Sequence, residues 1–461
     1  MENIYLLGYL VSISSFLLGL KFMSSPKRAK SGNLIAASGM ILALVLSLTS
    51  GITSNMPAGN LYVLSFAVFA GSIVGKKVAG RVEMTQMPQM VSLFNATGGA
   101  CALLIGIVEA SQNPAPALVQ LCLFAGICTG GTAVTGSITA YFKLSGKNLK
   151  VNSSSLVVLK WATLVLLLLL PVLVLVNPGI ISLEVAVYIL AFSALAYGFL
   201  LVTPIGGADM PVVISFLNSI TGIATAFAGL VYHSYVMIVG GILVGAAGTL
   251  LTLLMCRAMN RSFLKVLSGN FKKAAATGAV REQHIQEIAI PELAYELTCY
   301  KKIAIVPGYG LAVAQAQHLC GQLQQLLEAR EIQVDFVIHP VAGRMPGHMN
   351  VLLAEANIDY AHLKEMDEVN EDMESYDLTL IIGANDVVNP AAENDEESPV
   401  YGMPIIKSYL SKKVVVMKRS MDTGYAGVQN GLFELENCFL LFGDAKNSLT
   451  SLVDQLKLFS E

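Results

Sequence analysis

The sequence predicts two parts of different fold class: an α-helical membrane bundle of about nine transmembrane helices, then an α/β, Rossmann-like domain with a doubly wound parallel sheet. Three observations lead to this prediction. Long apolar segments follow one another through residues 1–255. Beyond residue 300, short apolar runs alternate with helical patterns, which is typical of a parallel sheet. Most Asp and Glu residues lie in the second part, so the two parts are suited to different solvents.

The overall composition supports a membrane protein. The chain has 461 residues, 54% of them hydrophobic and only 13% charged, and its mean hydropathy is +0.63. A soluble protein of this length is rarely so apolar. The net charge of -3 does not favour a nucleic-acid partner. The seven cysteines are isolated, without a C-x-x-C pair, so we expect buried thiols and no metal site.

Nine apolar segments are candidates to cross a bilayer core roughly 30 Å thick. Polar and charged residues separate each segment from the next. The segments are Ile4 to Leu20, Asn33 to Leu48, Leu61 to Val78, Met90 to Val108, Leu118 to Tyr141, Leu156 to Val176, Ile181 to Leu201, Met210 to Val231 and Tyr235 to Met255.

Basic residues predict the orientation. They follow the first, third, fifth and ninth segments, whereas the short loops of the other side have no Lys or Arg. The positive-inside rule therefore places the N-terminus outside and the C-terminal domain in the cytoplasm. Met1-Glu2 lacks a basic region, so the first segment is expected to be an anchor and not a signal peptide.

Three polar residues of the membrane part are candidates for proton movement. Asn95 lies within the fourth segment and Asn218 within the eighth, where lipid offers an amide no partner. Asp209 precedes the eighth segment on the cytoplasmic side. Its carboxylate is predicted either to respond to protonation or to cap the helix that follows, and the sequence leaves both open.

The predicted domains are a membrane domain at 1–259, a linker at 260–290 and a nucleotide-binding domain at 291–461. In the last, strands are predicted near 302–307, 333–338, 377–382, 413–417 and 437–442. A helix is predicted from Leu311 to Leu327, and another from Lys446 to Phe459.

Unusual residues follow each of these five strands directly, and the carboxyl ends of parallel strands meet at one edge, where nucleotides bind. Gly308 and Gly310 would let backbone N–H groups approach a pyrophosphate, although Val313 stands at the third glycine position of the dinucleotide fingerprint. The predicted cofactor site comprises Gly308, Tyr309, Gly310, His339, Val341, Ala342, Gly343, Arg344, Met345, Pro346, Gly383, Ala384, Asn385, Asp386, Lys418, Arg419, Ser420, Gly424, Tyr425, Asp444 and Ala445.

The charges at these strand ends favour NADP over NAD. An NAD site usually has Asp or Glu at the end of the second strand, and here that strand ends in His339. Lys418 and Arg419 instead provide two cations at a strand end, where a guanidinium suits a phosphate.

Seven motifs resemble the beta subunit of the proton-translocating NAD(P) transhydrogenases over nearly the whole chain. They are Met84-Thr-Gln-Met-Pro88, Gly206-Gly-Ala-Asp-Met-Pro-Val-Val213, Met255-Cys-Arg-Ala-Met-Asn-Arg-Ser262, Pro307-Gly-Tyr-Gly310, Ala342-Gly-Arg-Met-Pro-Gly-His-Met-Asn-Val-Leu-Leu-Ala-Glu355, Gly383-Ala-Asn-Asp386 and Lys418-Arg-Ser420.

The resemblance implies an NADP(H)-binding domain joined to a proton channel in the cell inner membrane. It also implies an alpha subunit that holds NAD(H) and adds transmembrane helices, in a dimer of alpha-beta units. Lys418, Arg419 and Ser420 would hold the 2'-phosphate, Arg344 and its loop the pyrophosphate side, and Asp386 would lie near the nicotinamide. The family binds NADP in reversed orientation, so the match between individual loops and phosphates stays open.

One departure concerns Asn95, where many bacterial relatives have His. Because Asn does not titrate in the accessible range, it can only orient water or bond a proton carrier. The titratable group is then either Asp209 or a residue of the partner subunit.

Two other functions stay open on the sequence alone. A nucleotide-gated channel or transporter would use the second domain as a sensor, but the chain lacks a T-V-G-Y-G selectivity loop. A membrane-anchored reductase complete in one chain would need a second substrate pocket, for which the second domain leaves little room.

Overall fold

A computed structural model of the chain describes residues 2–23, 28–53, 57–82, 86–110, 116–146, 154–177, 179–206, 209–260, 262–268, 285–343, 347–398, 400–424 and 426–459. The chain divides into two compact units, Met1–Thr252 and Leu253–Glu461.

The first unit and the start of the second contain the apolar helices. Nine helices of the described ranges are long and apolar enough to cross a membrane, which confirms the nine predicted segments. They are α1 (Glu2–Met23), α2 (Ala29–Thr53), α3 (Ala58–Ala79), α4 (Met87–Ala110), α5 (Ala117–Leu144), α6 (Ser154–Val176), α7 (Leu183–Val202), α8 (Met210–Val231) and α9 (Tyr235–Ala258).

Glycines allow α4 and α5 to pack closely. A Cβ atom at Gly99 would lie 2.8 Å from the carbonyl oxygen of Gly130, and one at Gly130 would lie 2.8 Å from that of Gly99. Backbone contact of this kind is a usual way for membrane helices to associate. It brings the polar side chains of α4 within reach of α5.

Among its described residues, the second unit contains a parallel sheet of seven strands, in the spatial order β1-β7-β6-β5-β2-β3-β4. The chain therefore builds outward from β2 through β3 to β4 and then returns to the other side of β2. Such a reversal leaves a crevice at the carboxyl ends of β2 and β5. The strands are β1 (Gln286–Glu287), β2 (Lys302–Pro307), β3 (Gln333–Ile338), β4 (Leu363–Glu365), β5 (Leu378–Ile382), β6 (Lys413–Lys418) and β7 (Cys438–Phe442).

The sheet is covered on both faces. Along β2, Ile303 and Ile305 belong to one hydrophobic cluster, while Ala304 and Val306 belong to a second. Successive side chains of a strand point to opposite faces, so both faces must be apolar. This explains why the strands are continuous apolar runs in the sequence, and the Rossmann-like prediction is confirmed.

Eight α-helices complete the described part of the second unit. They are α10 (Phe263–Ser268), α11 (Ile290–Leu297), α12 (Tyr309–Val313), α13 (Gln317–Glu328), α14 (His348–Glu355), α15 (Met366–Asn370), α16 (Ala391–Asn394) and α17 (Ala445–Leu458).

The single helix predicted from Leu311 to Leu327 is wrong in one respect. The structure has two helices, α12 and α13, separated by a turn in which Gln315 has a φ of 51°. A left-handed residue cannot continue an α-helix, so the chain changes direction there. The five predicted strands are present, and β1 and β4 are additional; β1 lies in the range that the sequence assigned to the linker.

Candidate nucleotide site

A cavity of about 430 Å³ lies at the carboxyl edge of the sheet. The segments that follow β2, β3, β5, β6 and β7 all contribute to its wall. Its lining consists of Gly308, Tyr309, Gly310, Val313, Ala314, Val341, Ala342, Gly343, Gly383, Ala384, Asn385, Asp386, Val387, Met417, Lys418, Arg419, Ser420, Asp422, Thr423, Gly424, Gly443, Asp444 and Ala445.

Two glycine turns touch at the floor of the crevice. The Gly308 N–H donates to the carbonyl of Ile382, and the Gly310 N–H donates to that of Gly383, each at 2.9 Å. Gly383 has a φ of +68°, and a Cβ there would lie 2.5 Å from Cα of Gly310. Neither turn leaves room for a side chain, so the backbone itself forms this part of the cavity wall.

The loop after β6 provides the positive charge of the cavity. Lys418 is half-buried, with its Nζ atom 4.4 Å from the centre of the Phe433 ring. Burial lowers the pKa of Lys418, and the nearby carboxylates of Asp422 and Asp386 act in the opposite direction. Arg419 and Ser420 follow and are exposed. Lysine, arginine and serine at one strand end are donors that suit a phosphate group.

Asp386 lies in the loop that follows β5 and contacts the loop that follows β6. Its Oδ2 atom accepts a hydrogen bond from the backbone N–H of Ala426 at 2.9 Å. A Cβ at Gly424 would lie 2.2 Å from Oδ1 of Asp386, so any larger residue there would displace the carboxylate. The loop after β5 and the loop after β6 are therefore joined through one carboxylate.

His339 supports the cavity from behind and does not line it. It is only 2% exposed. Its Nε2 atom is 2.7 Å from the carbonyl of Pro404, and its Nδ1 atom accepts a bond from the N–H of Val341 at 3.2 Å. Burial lowers the pKa of His339. The neutral ring therefore holds the start of the loop that continues to Ala342 and Gly343.

Comparisons with known proteins identify the family. The family model described as "NAD(P) transhydrogenase beta subunit" matches residues 5–455. The chain belongs to this family. It is 39% identical to the NAD(P) transhydrogenase subunit beta of Rhodospirillum rubrum over 471 aligned residues, covering 99% of each chain. A second Rhodospirillum rubrum sequence of the same description matches equally well.

Most of the predicted cofactor residues of this transhydrogenase beta subunit line one cavity. His339 is the described exception, and Arg344, Met345, Pro346 and Tyr425 lie outside the described residues. Sequence reasoning did not select Val313, Ala314, Val387, Met417, Asp422, Thr423 and Gly443, which also line it. The sequence feature that could have identified them is their place in or beside a loop that follows a strand.

The polar residues of the membrane helices have different surroundings. Asn95 is 6% exposed, and its Nδ2 atom donates to the Ser137 hydroxyl of α5 at 2.8 Å. Its Oδ1 atom is buried without a hydrogen-bond partner among the described residues. Asn218 is half-buried in α8.

Asp209 precedes α8 and is 2% exposed. Its side chain makes no capping hydrogen bond to the helix. Lys143 holds the C-terminal end of α7, because its Nζ atom donates to the carbonyls of Val202 at 3.1 Å and Ile205 at 2.7 Å. This geometry does not support the capping alternative for Asp209.

Proposed function

We propose that this beta subunit binds NADP(H) and, with an alpha subunit that holds NAD(H), couples hydride transfer between the two cofactors to proton translocation. The observation that carries the proposal is the sequence Lys418, Arg419, Ser420 at the end of β6, on the wall of a cavity floored by two glycine turns. Family membership supports the same function.

The charges support NADP(H) as the nucleotide. Lys418, Arg419 and Ser420 would hold the 2'-phosphate, because a charged donor set recognises a dianionic group that NAD lacks. At the end of β3, where an NAD site usually has an acid, the neutral His339 lies buried. When bound, NADP(H) supplies the nicotinamide that gives or accepts a hydride.

The residues of this chain are proposed to orient the cofactor. Direct hydride transfer between two nicotinamides needs no protein acid or base, so positioning and control of affinity are the protein's contribution. Gly308, Tyr309, Gly310, Gly383, Ala384 and Asn385 would form the floor. Asp386 would adjust the charge near the nicotinamide, from a position held by the backbone of Ala426.

We propose that proton translocation is coupled to hydride transfer through a change in the affinity for NADP+ and NADPH. Moving one charge across 100 mV is worth about 2.3 kcal/mol, which corresponds to roughly a fiftyfold change in a ratio of bound states. Protonation near Asp209 that changes the preference between NADP+ and NADPH by this factor would suffice for coupling. Asn95 and Asn218 would orient water or a carrier, because amides do not titrate.

We infer that the chain lies in the cell inner membrane, with its N-terminus outside and its nucleotide domain in the cytoplasm. The placement of Lys and Arg after the first, third, fifth and ninth segments supports this orientation. The alpha subunit would add transmembrane helices, in a dimer of alpha-beta units. No residue of α3 is buried among the described residues. Its apolar side chains would then face lipid or a partner.

The test compares cofactor affinities of the full chain in detergent. We expect Arg419→Ala to weaken NADPH binding by roughly tenfold or more, the loss of one charge-assisted contact worth about 1.5 kcal/mol, with little effect on NADH. Lys457→Ala, which removes an exposed cation of α17, is the matched control and should change neither affinity. An equal loss of NADPH and NADH binding in Arg419→Ala would reject the 2'-phosphate assignment.

A further inference from the structure

Asp422 places a negative charge in the basic loop of the cavity. It lies four residues after Lys418 and lines the same cavity wall. The hydroxyl of Ser420 donates to its Oδ2 atom at 2.6 Å. One of the three side chains proposed to hold the 2'-phosphate is therefore already bonded to an anion of the chain itself.

The other two acids of the cavity differ from Asp422 in what they bond. Asp386 accepts a hydrogen bond from the backbone N–H of Ala426. Asp444 accepts from two backbone N–H groups at the start of α17, at 3.0 and 3.4 Å. Both carboxylates have a clear structural task. Asp422 instead accepts a hydrogen bond from a side-chain hydroxyl, and its own side chain is exposed, so it can turn away without disrupting the fold.

The charge of Asp422 also acts on Lys418. Burial is the largest influence on the Lys418 pKa and lowers it, and the nearby carboxylates of Asp422 and Asp386 oppose this effect. Asp422 therefore stabilises the ammonium of Lys418 and at the same time reduces the net positive charge that a phosphate would meet. A phosphate monoester carries a charge of about -1.5 to -2 near neutral pH, so it and Asp422 repel each other.

We propose that Asp422 is an internal competitor of the 2'-phosphate, which occupies the Ser420 hydroxyl until NADP(H) displaces it. This inference rests on the proposed function and assigns a further specificity-determining residue to the same site. Asp422 lowers the affinity for NADP(H) and leaves that for NAD(H) nearly unchanged, since NAD(H) has no group to compete for Ser420. A cofactor that must be released after each hydride transfer benefits from such a limit on its affinity.

The sign of the effect separates this role from a structural one. If the bond between Ser420 and Asp422 only shapes the loop, removal of the carboxylate disorders the phosphate site and weakens NADP(H) binding. If Asp422 competes, the same change frees the hydroxyl, removes a repulsion and strengthens binding.

The experiment is isothermal titration of the full chain in detergent with NADPH and with NADH. We expect Asp422→Asn and Asp422→Ala to lower the dissociation constant of NADPH roughly tenfold, equal to about 1.4 kcal/mol, and to change that of NADH by less than about twofold. Asp454→Asn removes an acid of α17 that is 64% exposed and should have no effect. Unchanged or weaker NADPH binding in both Asp422 variants overturns the inference.

A double-mutant cycle tests the displacement itself. Ser420→Ala removes the hydroxyl for which the two anions compete, so Asp422→Ala should strengthen NADPH binding less in the Ser420→Ala background than in the wild type. An equal gain in both backgrounds overturns displacement from Ser420.

The proposed function and this inference fail in different ways. A wild-type chain that binds NADH as tightly as NADPH contradicts the proposed function. A wild-type chain that prefers NADPH, with Asp422 variants that retain its affinity, leaves the proposed function in place and removes the inference about Asp422.

Discussion

Replacing Gly308 by Ala tests whether the two glycine turns set the shape of the nucleotide cavity. A Cβ atom at position 308 would lie 2.3 Å from the carbonyl oxygen of Gly383 and 2.4 Å from the nitrogen of Ala384. Both are backbone atoms, so a side-chain rotation cannot relieve the overlap. The turn after β2 must move away from the turn after β5.

The expected cost follows from what this movement disturbs. Forcing an extra carbon into a packed region costs roughly 1 to 3 kcal/mol. The movement also strains the hydrogen bonds from Gly308 to Ile382 and from Gly310 to Gly383, both 2.9 Å long. Losing one of them adds about 1 kcal/mol. We therefore expect a local destabilisation of roughly 2 to 4 kcal/mol.

Hydrogen exchange of the full chain, detected by mass spectrometry, measures this local loss of stability. Peptides that cover β2 and β5 should exchange faster by roughly 30- to 1,000-fold, the equivalent of that free energy. Gly431→Ala is the control, because no atom lies within 4 Å of the Cβ it would add. Exchange in Gly308→Ala as slow as in Gly431→Ala would refute the argument that the touching turns define the cavity.

Three further predictions concern other parts of the proposed function. Burial lowers the pKa of His339, so the stability that the neutral ring contributes is complete above the ordinary histidine pKa and is lost as the pH falls through the lowered pKa of the folded state. His339→Gln should therefore make the free energy of unfolding depend less on pH in this range. An unchanged pH dependence would contradict this prediction. Asp386→Asn keeps the shape and removes the charge, and should change the preference between NADP+ and NADPH in titrations; an unchanged preference and full transhydrogenation would make Asp386 a structural residue only. Asp209→Asn and Asn218→Leu should impair proton translocation in vesicles assembled with the alpha subunit, while NADP(H) binding to the separated nucleotide-binding domain stays normal; full proton pumping in both variants would reject a route along α8.

The Asp209 prediction shows what the structure adds to the sequence. From the sequence, an acid before an apolar helix predicts either a cap or a protonation site. Asn replaces Asp well as a cap, so capping predicts a nearly silent Asp209→Asn variant. The buried Asp209 side chain makes no capping hydrogen bond to α8, so the capping alternative is not supported. Loss of proton pumping is the outcome that the proposed function predicts.

Local pattern alone was enough to predict most of the architecture. A membrane helix needs a continuous apolar surface in lipid, so each of the nine helices is visible in the composition of its own segment. The central strands are buried on both faces, which makes them apolar runs of a recognisable length. Because those strands are parallel, the sequence also places the loops that follow them at one edge of the sheet.

Short elements and contacts between distant segments were decided by the tertiary structure. The strands β1 and β4 have 2 and 3 residues, too few for a periodic pattern, and they exist only because neighbouring strands pair with them. The break between α12 and α13 depends on the backbone of Gln315, whose residue type does not predict a positive φ.

The sequence by itself predicted most of the residues that line the cavity at the carboxyl edge of the sheet, and the tertiary structure decided which contacts they make there. Residue type and strand position depend on local chemistry, which can be read along the chain. Three contacts join different loops: that of His339 with Pro404, that of Gly424 with Asp386 and that of Gly308 with Gly383. Hydrogen bonds and steric overlap depend on distances of a few ångströms between atoms far apart in sequence, and only the packed fold sets those distances.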